Sequence, residues 1–275
     1  MGVIKNFHDR VEVEITDGVA DVRMIRVDKR NALDNEMFMG LDEAGQYLKT
    51  AEGVRVAVLR GEGKSFCAGL DFSIFSQIAE GDKGAGPTVM GDRVSDQIAN
   101  RAQRVAWTWQ EVPAPVIASV HGHAMGGGFQ IAMGADIRIA HPDTQFSVRE
   151  MHWGLFPDMS GTLTLGAHVR PDVAKELIYS ARIFDGNEAH VLGIVTKVSA
   201  DPLTDARELA AQIASANPSA IRAAKRLVNR AAYGDAAGQL EAERTEIAQV
   251  IGKPNQIEAV MANLADRKPI FKDLD

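Results

Sequence analysis

The alternation of hydrophobic and polar positions predicts a β-hairpin close to the start of the chain. Apolar residues in 11–15 alternate with polar ones, and Asp17-Gly18 supplies a turn before a second strand-like run at 19–25. A period of two places every second side chain on the same face of a strand, so one face of this hairpin is expected to be buried. The short apolar run 54–59 predicts a further, buried strand.

Helical spacing of apolar residues predicts two amphipathic helices, one before and one after the strand at 54–59, and Asp34 is the expected N-cap of the first. The apolar face of the first helix consists of Met37, Leu41, Ala44 and Leu48, and that of the second consists of Val94, Ile98, Ala102, Val105 and Trp109. The stretch 62–91 is predicted to be a loop, and its glycine-rich part, 81–87, is expected to be mobile.

Strands and short helices alternate in the middle of the chain. The run 115–120 predicts a strand that leads through three consecutive glycines into a short helix, and 137–140 predicts the next strand. Beyond residue 197 every periodic stretch has helical spacing, and the last helix is expected to follow Lys253-Pro254. The sequence therefore predicts an α/β core over 1–200 and a helical region over 201–275.

Composition narrows the class of protein. The 275 residues are 45% hydrophobic and 24% charged, as in ordinary globular proteins. A formal net charge of -7 argues against nucleic acid as a partner, because phosphate binding needs basic patches. The single cysteine, Cys67, cannot form an internal disulfide, which fits a reducing compartment. No apolar run has signal-peptide length or the ~20 residues of a membrane span, so a cytoplasmic protein without membrane contact is expected.

The three glycines, Gly126 to Gly128, lie between a predicted strand and a predicted helix. Bare backbone and the unpaired first amides of a helix suit an anion, or an oxygen that becomes one during a reaction. The spacing is neither that of a dinucleotide-binding motif nor that of a nucleotide P-loop. Close packing of helix against strand is an equally good explanation of these glycines taken alone.

A second candidate lies in the loop after the strand at 54–59. Small residues in 64–72 would let the backbone approach a ligand, with the Leu70 amide as a hydrogen-bond donor. Taken alone, the segment is better explained as a tight turn beside the end of a strand.

Two carboxylates, Glu150 and Asp158, flank a mostly apolar loop. Apolar surroundings raise the pKa of a carboxyl group, which suits proton transfer near neutral pH. The alternatives are that Glu150 pairs with Arg149 or another cation, and that Asp158 caps a helix that begins near Ser160. His121 and His123 could seed a metal site, but neither a cysteine nor an obviously placed carboxylate completes it, so no metal is expected.

Taken together and in this order, these segments resemble the crotonase (enoyl-CoA hydratase/isomerase) superfamily over about 11–272. The matching segments are Lys29-Arg30-Asn31-Ala32-Leu33, Phe66-Cys67-Ala68-Gly69-Leu70-Asp71, Gly122-His123-Ala124-Met125-Gly126-Gly127-Gly128, Glu150 with Gly154-Leu155 and Pro157, and Arg267-Lys268-Pro269-Ile270-Phe271. The resemblance implies an α/β spiral of strand-strand-helix units whose C-terminal helices, within 201–275, build homotrimers or hexamers.

The resemblance also implies an acyl-CoA substrate, whose coenzyme A is part of the substrate, and no separate cofactor. The amides of Leu70 and Gly127 would form the oxyanion hole for the thioester carbonyl. Glu150 would be the principal acid/base, and Asp158 the second proton carrier. The positions implied to lie along the substrate and its coenzyme A are Arg30, Ala32, Ala68, Asp71, Phe72, Gly126 and Gln130.

One departure from the superfamily decides between reactions. Hydratases of the superfamily use two glutamates, and the first of these positions holds Gln130 here, which can orient water but cannot take its proton. Dienoyl-CoA isomerases combine a glutamate like Glu150 with an aspartate like Asp158, although they usually carry an aspartate where Gln130 stands. The sequence thus favours an enoyl-CoA or dienoyl-CoA isomerase that works through an enolate. A hydratase that uses Glu150 with a water held by Gln130, and a non-catalytic acyl-CoA-binding protein, are the alternatives.

Overall fold

A computed structural model describes residues 4–74 and 98–270 of the chain. The expected mobile segment 81–87 and position Val94 of the second expected helix lie outside the described residues. The predicted α/β class is confirmed by a mixed sheet covered by helices.

The main sheet has seven strands among the described residues, in the order β1-β2-β3-β4-β5-β7-β9. Its strands are β1 (Ile4–Phe7), β2 (Val11–Thr16), β3 (Val19–Met24), β4 (Val56–Gly61), β5 (Val116–Val120), β7 (Ile137–Ala140) and β9 (Lys197–Val198). The first three strands run antiparallel, which confirms the predicted hairpin, and β3 to β9 are parallel. The strand predicted at 54–59 begins and ends two residues later than expected.

Helices cover this sheet, and all elements that follow β9 in the described residues are helices. They are α1 (Asn35–Thr50), α2 (Arg101–Glu111), α3 (Gly127–Gly134), α4 (Gly161–Gly166), α5 (Pro171–Ser180), α6 (Gly186–Val191), α7 (Pro202–Ala214), α8 (Pro218–Tyr233), α9 (Ala236–Val250) and α10 (Pro254–Leu264). Asp34 caps α1 as expected, because its side chain accepts from the Met37 amide. Asn100 and Gln103 form a capping box that starts α2 at Arg101, so the expectation that Ile98 belongs to this helix was wrong.

A small second sheet brings two sequence-distant segments together. Strand β6 (His123–Met125) pairs in parallel with β8 (Gln145–Ser147). The glycine-rich start of α3 follows β6, and a 3-10 turn, Arg149–Trp153, follows β8. Because the two strands are parallel, their carboxyl ends share one edge, which places the triple glycine beside Glu150.

The C-terminal helices contact the core at several places. Helix α7 lies on the main sheet, where its alanines at 206, 210 and 214 pack against Val56, Ile117 and Ile139. Helix α10 lies on the 3-10 turn, where the Asn263 amide donates to the His152 carbonyl. The region 201–275 is therefore packed on the rest of the chain, while its boundary and its role in oligomers stay predictions. No helix in the described part is both long and apolar enough to cross a membrane.

A buried ion pair fastens α8 to the core. The Lys225 side chain is only 6% exposed, and its Nζ lies 2.8 Å from Asp136 Oδ2. The same ammonium donates to the carbonyls of Trp109, at 2.8 Å, and Ala114, at 3.1 Å. All three hydrogens of the ammonium group therefore have an acceptor in the interior. Removal of the lysine would leave the Asp136 carboxylate without its positive partner.

We predict that Lys225→Met lowers the free energy of unfolding by about 3–5 kcal/mol, because it leaves a buried carboxylate without its cation. Urea unfolding followed by tryptophan fluorescence measures the change. Lys175→Met, which removes an exposed lysine of α5, is the matched control and should change stability by less than about 0.5 kcal/mol. Equal stability of the two variants would contradict the role given to the pair.

Candidate active site

The carboxyl ends of β6 and β8 open onto a cavity of about 650 Å³. Most of its surface is apolar, and two carboxyl groups, those of Glu150 and Asp158, lie in its wall. The described lining residues are Leu33, Phe38, Ala68, Gly69, Leu70, Phe72, Ala102, Met125, Gly126, Gly127, Arg149, Glu150, His152, Trp153, Leu155, Asp158, Met159, Ile183, Ile247, Ile251, Asn263 and Leu264. Such an apolar cavity with few polar groups is typical of a small-molecule site.

Leu70 and Gly127 both line this cavity. Leu70 follows Gly69, whose φ of +90° bends the chain, and pairs with Leu33 in an isolated parallel bridge. Gly127 is the first residue of α3, so its amide has no acceptor within the helix. No backbone carbonyl among the described residues accepts from either amide. Neither amide is therefore taken up by the described backbone, and their joint action as an oxyanion hole stays a prediction.

Close packing also requires glycine at positions 126 to 128. The alternative explanation of these residues from the sequence, close packing of helix against strand, therefore holds as well. A Cβ at Gly127 would lie 2.7 Å from Leu33 Cδ1, and one at Gly128 would lie 2.4 Å from the Cys67 carbonyl oxygen. Gly126 has a φ of +50°, and a Cβ there would lie 3.3 Å from Glu150 Oε1. The absence of side chains therefore lets α3 approach both the loop after β4 and the catalytic candidate Glu150.

Glu150 is buried, with only 9% of its surface exposed. Its Oε1 accepts from Gln130 Nε2 at 2.6 Å, while Oε2 has no partner in the described part of the structure. Burial raises the pKa of Glu150 to about 7, and the negative charge of Asp158 adds to the effect. The alternative of a pairing with Arg149 is not observed, since that guanidinium donates to the Ala181 carbonyl instead. Glu150 can therefore take up and release a proton near neutral pH.

Asp158 lies on the loop between the 3-10 turn and α4 and faces the same cavity. Burial raises its pKa to about 6. The N-cap of α4 is Ser160, two residues further on, so Asp158 is not the cap that was its alternative explanation. The site thus holds two carboxyl groups whose pKa values both lie close to neutrality.

Gln130 is placed differently from the expectation. It is fully buried, and it is absent from the described lining of the cavity. Its Oε1 accepts from the amides of Met159, at 2.8 Å, and Gly161, at 2.9 Å, while its Nε2 donates to Glu150. Both lone pairs of the carbonyl oxygen are therefore occupied by the loop that carries Asp158, and this oxygen cannot hold a water for Glu150.

The other residues implied to contact substrate fall into two groups. Ala68 and Phe72 line the cavity, and the Phe72 ring makes an edge contact with Trp153 at 5.5 Å between centroids. Asp71 is instead bound by Arg26, whose Nη1 lies 2.6 Å from Oδ2, and the Ser73 hydroxyl and amide bind its Oδ1. These hydrogen bonds help to lower the pKa of Asp71 against the opposing effect of its burial.

Arg30 and Ala32 lie outside the described lining, on the segment just before Leu33. Arg30 is exposed, and its carbonyl accepts from the Ala68 amide. The Ala32 carbonyl accepts from Arg26 Nη1 at 3.0 Å. These contacts support the loop that presents Leu70, and a contact of either residue with coenzyme A stays a prediction.

Sequence reasoning missed much of the cavity wall. Ile247 and Ile251 at the end of α9, with Asn263 and Leu264 of α10, close one side of the cavity. The sequence predicts the helix that carries Leu264, but helical spacing does not show which element its apolar face contacts. Helix α9 itself was not predicted as a separate element.

The two histidines of the glycine-rich segment have structural contacts. His121 Nε2 lies 3.0 Å from the Gly63 carbonyl, and His123 Nδ1 lies 2.9 Å from Ser65 Oγ. His121 therefore joins the loop after β4 to the end of β5, and His123 joins the same loop to the start of β6. Within residues 4–74 and 98–270, no three His, Cys, Asp or Glu side chains are grouped to hold a metal.

Comparisons with known proteins agree with this arrangement. The model of the enoyl-CoA hydratase/isomerase family matches residues 14–274. The human mitochondrial methylglutaconyl-CoA hydratase is 30% identical over 263 residues, which cover 93% of this chain and 74% of the relative. The human enoyl-CoA hydratase domain-containing protein 2 is 32% identical over 261 residues, which cover 92% and 85%.

Solved structures of two hydratases have the same fold as this chain over nearly all of its length. An enoyl-CoA hydratase from Mycobacterium avium subsp. paratuberculosis K-10 superposes with a TM-score of 0.81 at 25% identity, covering 96% of this chain and 99% of that one. A carnitinyl-CoA hydratase from Mycobacterium avium also gives 0.81 at 25% identity, covering 96% and 98%. The family match spans the amides, the glycines and both carboxyl groups described above, and the chain belongs to the enoyl-CoA hydratase/isomerase family of the crotonase superfamily.

Proposed function

We propose that this enzyme is an enoyl-CoA or dienoyl-CoA isomerase, which moves a double bond of an acyl-CoA thioester through an enolate. The observation that carries the proposal is the hydrogen bonding of Gln130, whose side chain faces the protein and not the cavity. Glu150 and Asp158 are then the carboxyl groups that the described wall offers to a substrate. A pair of acids without an activated water suits isomerisation better than hydration.

The oxyanion hole of this mechanism consists of the Leu70 and Gly127 amides. Both donate to the thioester oxygen as a proton leaves the carbon beside the carbonyl, and each fixed donor stabilises the transition state by roughly 3–4 kcal/mol. The amides need no reorientation, because one is set by the start of α3 and the other by the bend at Gly69.

Asp158 and Glu150 move the protons. With a 3,5-dienoyl thioester, Asp158 takes the proton beside the carbonyl and Glu150 delivers one at the far end of the diene. The double bonds shift and no atom is gained or lost. With a 3-enoyl thioester, Glu150 takes the proton from the carbon beside the carbonyl. It then returns the proton to the far carbon of the original double bond. In our proposal neither route uses a metal or a redox cofactor, and coenzyme A is part of the substrate.

Hydration is the second candidate, and the names of the relatives favour it, since those compared above are called hydratases. A hydratase would add water across a 2-enoyl thioester, and 3-hydroxyacyl-CoA formation distinguishes it from the isomerase. The two occupied lone pairs of Gln130 Oε1 speak against a water held there.

From the family resemblance we also propose a cytoplasmic homotrimer or hexamer.

We predict that Glu150→Gln abolishes isomerisation and deuterium incorporation from heavy water, because glutamine cannot accept a proton. The expected loss is at least about 10²–10⁴-fold, the usual contribution of a general acid or base. Mass spectrometry of the recovered 3-enoyl and 3,5-dienoyl thioesters measures it. Asp172→Asn, which removes an exposed carboxylate of α5, is the matched control and should retain full activity. Unimpaired turnover by Glu150→Gln would refute the assignment.

The pH dependence should differ between the two substrates. The dienoyl reaction needs Asp158 ionised and Glu150 protonated, so kcat/KM should rise through pH about 6 and fall above about 7. The 3-enoyl reaction needs Glu150 ionised, so its kcat/KM should rise through pH about 7 without that fall. Initial rates between pH 5 and 9 measure both profiles. Flat profiles for both substrates between pH 5.5 and 7.5 would contradict the proposed roles.

A further inference from the structure

The Gln130 side chain connects three segments that are far apart in sequence. It projects from α3, accepts hydrogen bonds from the amides of Met159 in the loop before α4 and of Gly161 at the start of α4, and donates to Glu150 of the 3-10 turn. The distances are 2.8, 2.9 and 2.6 Å, and no part of Gln130 is exposed. The loop that it holds is the one that carries Asp158.

The orientation of the Gln130 amide follows from its partners. The two backbone N–H groups can only donate, so the atom facing them must be the carbonyl oxygen, Oε1. The NH₂ group is thereby directed at Glu150 Oε1 and can only donate to it. A glutamate in place of Gln130 would direct a second carboxyl oxygen at the same atom, so that one of the two acids would have to hold a proton.

We propose that Gln130 is a positioning residue, which fixes Glu150 relative to the Asp158 loop and directs the exchangeable proton of Glu150 to Oε2. The inference rests on the proposed isomerase function for its catalytic consequence. Oε1 accepts the Gln130 hydrogen in both protonation states of Glu150, since either a carboxylate oxygen or a carboxyl C=O can accept it. Oε2, which is buried and has no partner in the described structure, is therefore the oxygen that is left to carry the proton.

Few charged groups surround the Glu150 carboxyl. Asp158 is the charged group that faces Glu150 from the next loop, and Arg149 and His152 belong to the same 3-10 turn as Glu150. The described lining from α2, α3, α9 and α10 is uncharged. Two hydrogen bonds lower the pKa of Glu150 against the larger effect of burial, one from its own backbone amide and one from Gln130. Loss of the Gln130 donor should therefore raise that pKa.

The test combines Gln130→Met, which keeps the volume and removes the amide, with Gln130→Glu, which keeps an acceptor for the two backbone amides. Both should lower kcat for isomerisation by about 10–100-fold, because a displaced acid meets its substrate poorly. KM should change less than about twofold, because Gln130 does not line the cavity. The apparent pKa of Glu150 should rise by about one unit in Gln130→Met, and further in Gln130→Glu.

A direct titration separates this inference from the proposed function. The infrared band of the protonated Glu150 carboxyl is identified by its loss in Glu150→Gln, and its titration in wild type and Gln130→Met gives the pKa without any turnover. Gly161→Ala should shift it in the same direction, because a Cβ there would lie 2.4 Å from Gln130 Oε1 and displace the amide. Gln110→Met removes another buried amide, which donates to the Gly134 carbonyl, and should leave the Glu150 titration unchanged.

The outcomes are distinguishable. A wild-type enzyme that isomerises no enoyl or dienoyl thioester would overturn the proposed function, while a raised Glu150 pKa in Gln130→Met would still support the positioning role. An unchanged pKa in both Gln130 variants, with kcat as in wild type, would overturn the inference even in an active isomerase. A Glu150 titration shifted equally by Gln110→Met would show a general loss of packing and would also overturn it.

Discussion

The burial of Glu150 against an apolar cavity is the constraint on which the rest of the site depends. A carboxyl group that is 9% exposed loses most of its hydration, and its pKa rises to about 7. The surrounding chain compensates only partly, because hydrogen bonds from the Glu150 backbone amide and from the Gln130 side chain lower this pKa by less than burial raises it. The group is left neither firmly ionised nor firmly protonated at neutral pH, and this is what proton transfer to and from carbon requires.

The fold provides this environment by placing parallel strands side by side. Strands β6 and β8 end at one edge, where the first continues into the bare glycines of α3 and the second into the turn that carries Glu150. Gly126 leaves room for the Glu150 carboxyl, and Gly127 leaves its amide open to the cavity. The same small residues thus serve packing and chemistry, so the two explanations of the triple glycine do not exclude each other. Helices α9 and α10 then close the cavity with apolar side chains.

Local patterns in the sequence were sufficient for the elements whose signal is local. The hairpin, the Asp34 cap and the helix after Lys253 are visible in a few neighbouring residues, and the capping box of Asn100 and Gln103 could have corrected the start of α2. The partners of Gln130 could not be found in this way, because the amides that it binds are 29 and 31 residues away. The sequence shows that Gln130 cannot take a proton from water. Only the tertiary structure shows that its side chain joins Glu150 to the segment that carries Asp158.

The most direct test of this account is a crystal structure with an unreactive enoyl-CoA or dienoyl-CoA analogue in the cavity. The account predicts that the thioester oxygen accepts from both the Leu70 and Gly127 amides. It also predicts that Asp158 and Glu150 Oε2 face the carbons that exchange protons, and that Gln130 keeps its three hydrogen bonds. A Gln130 side chain turned into the cavity, with its amide holding a water beside the acyl group, would contradict the account and favour hydration.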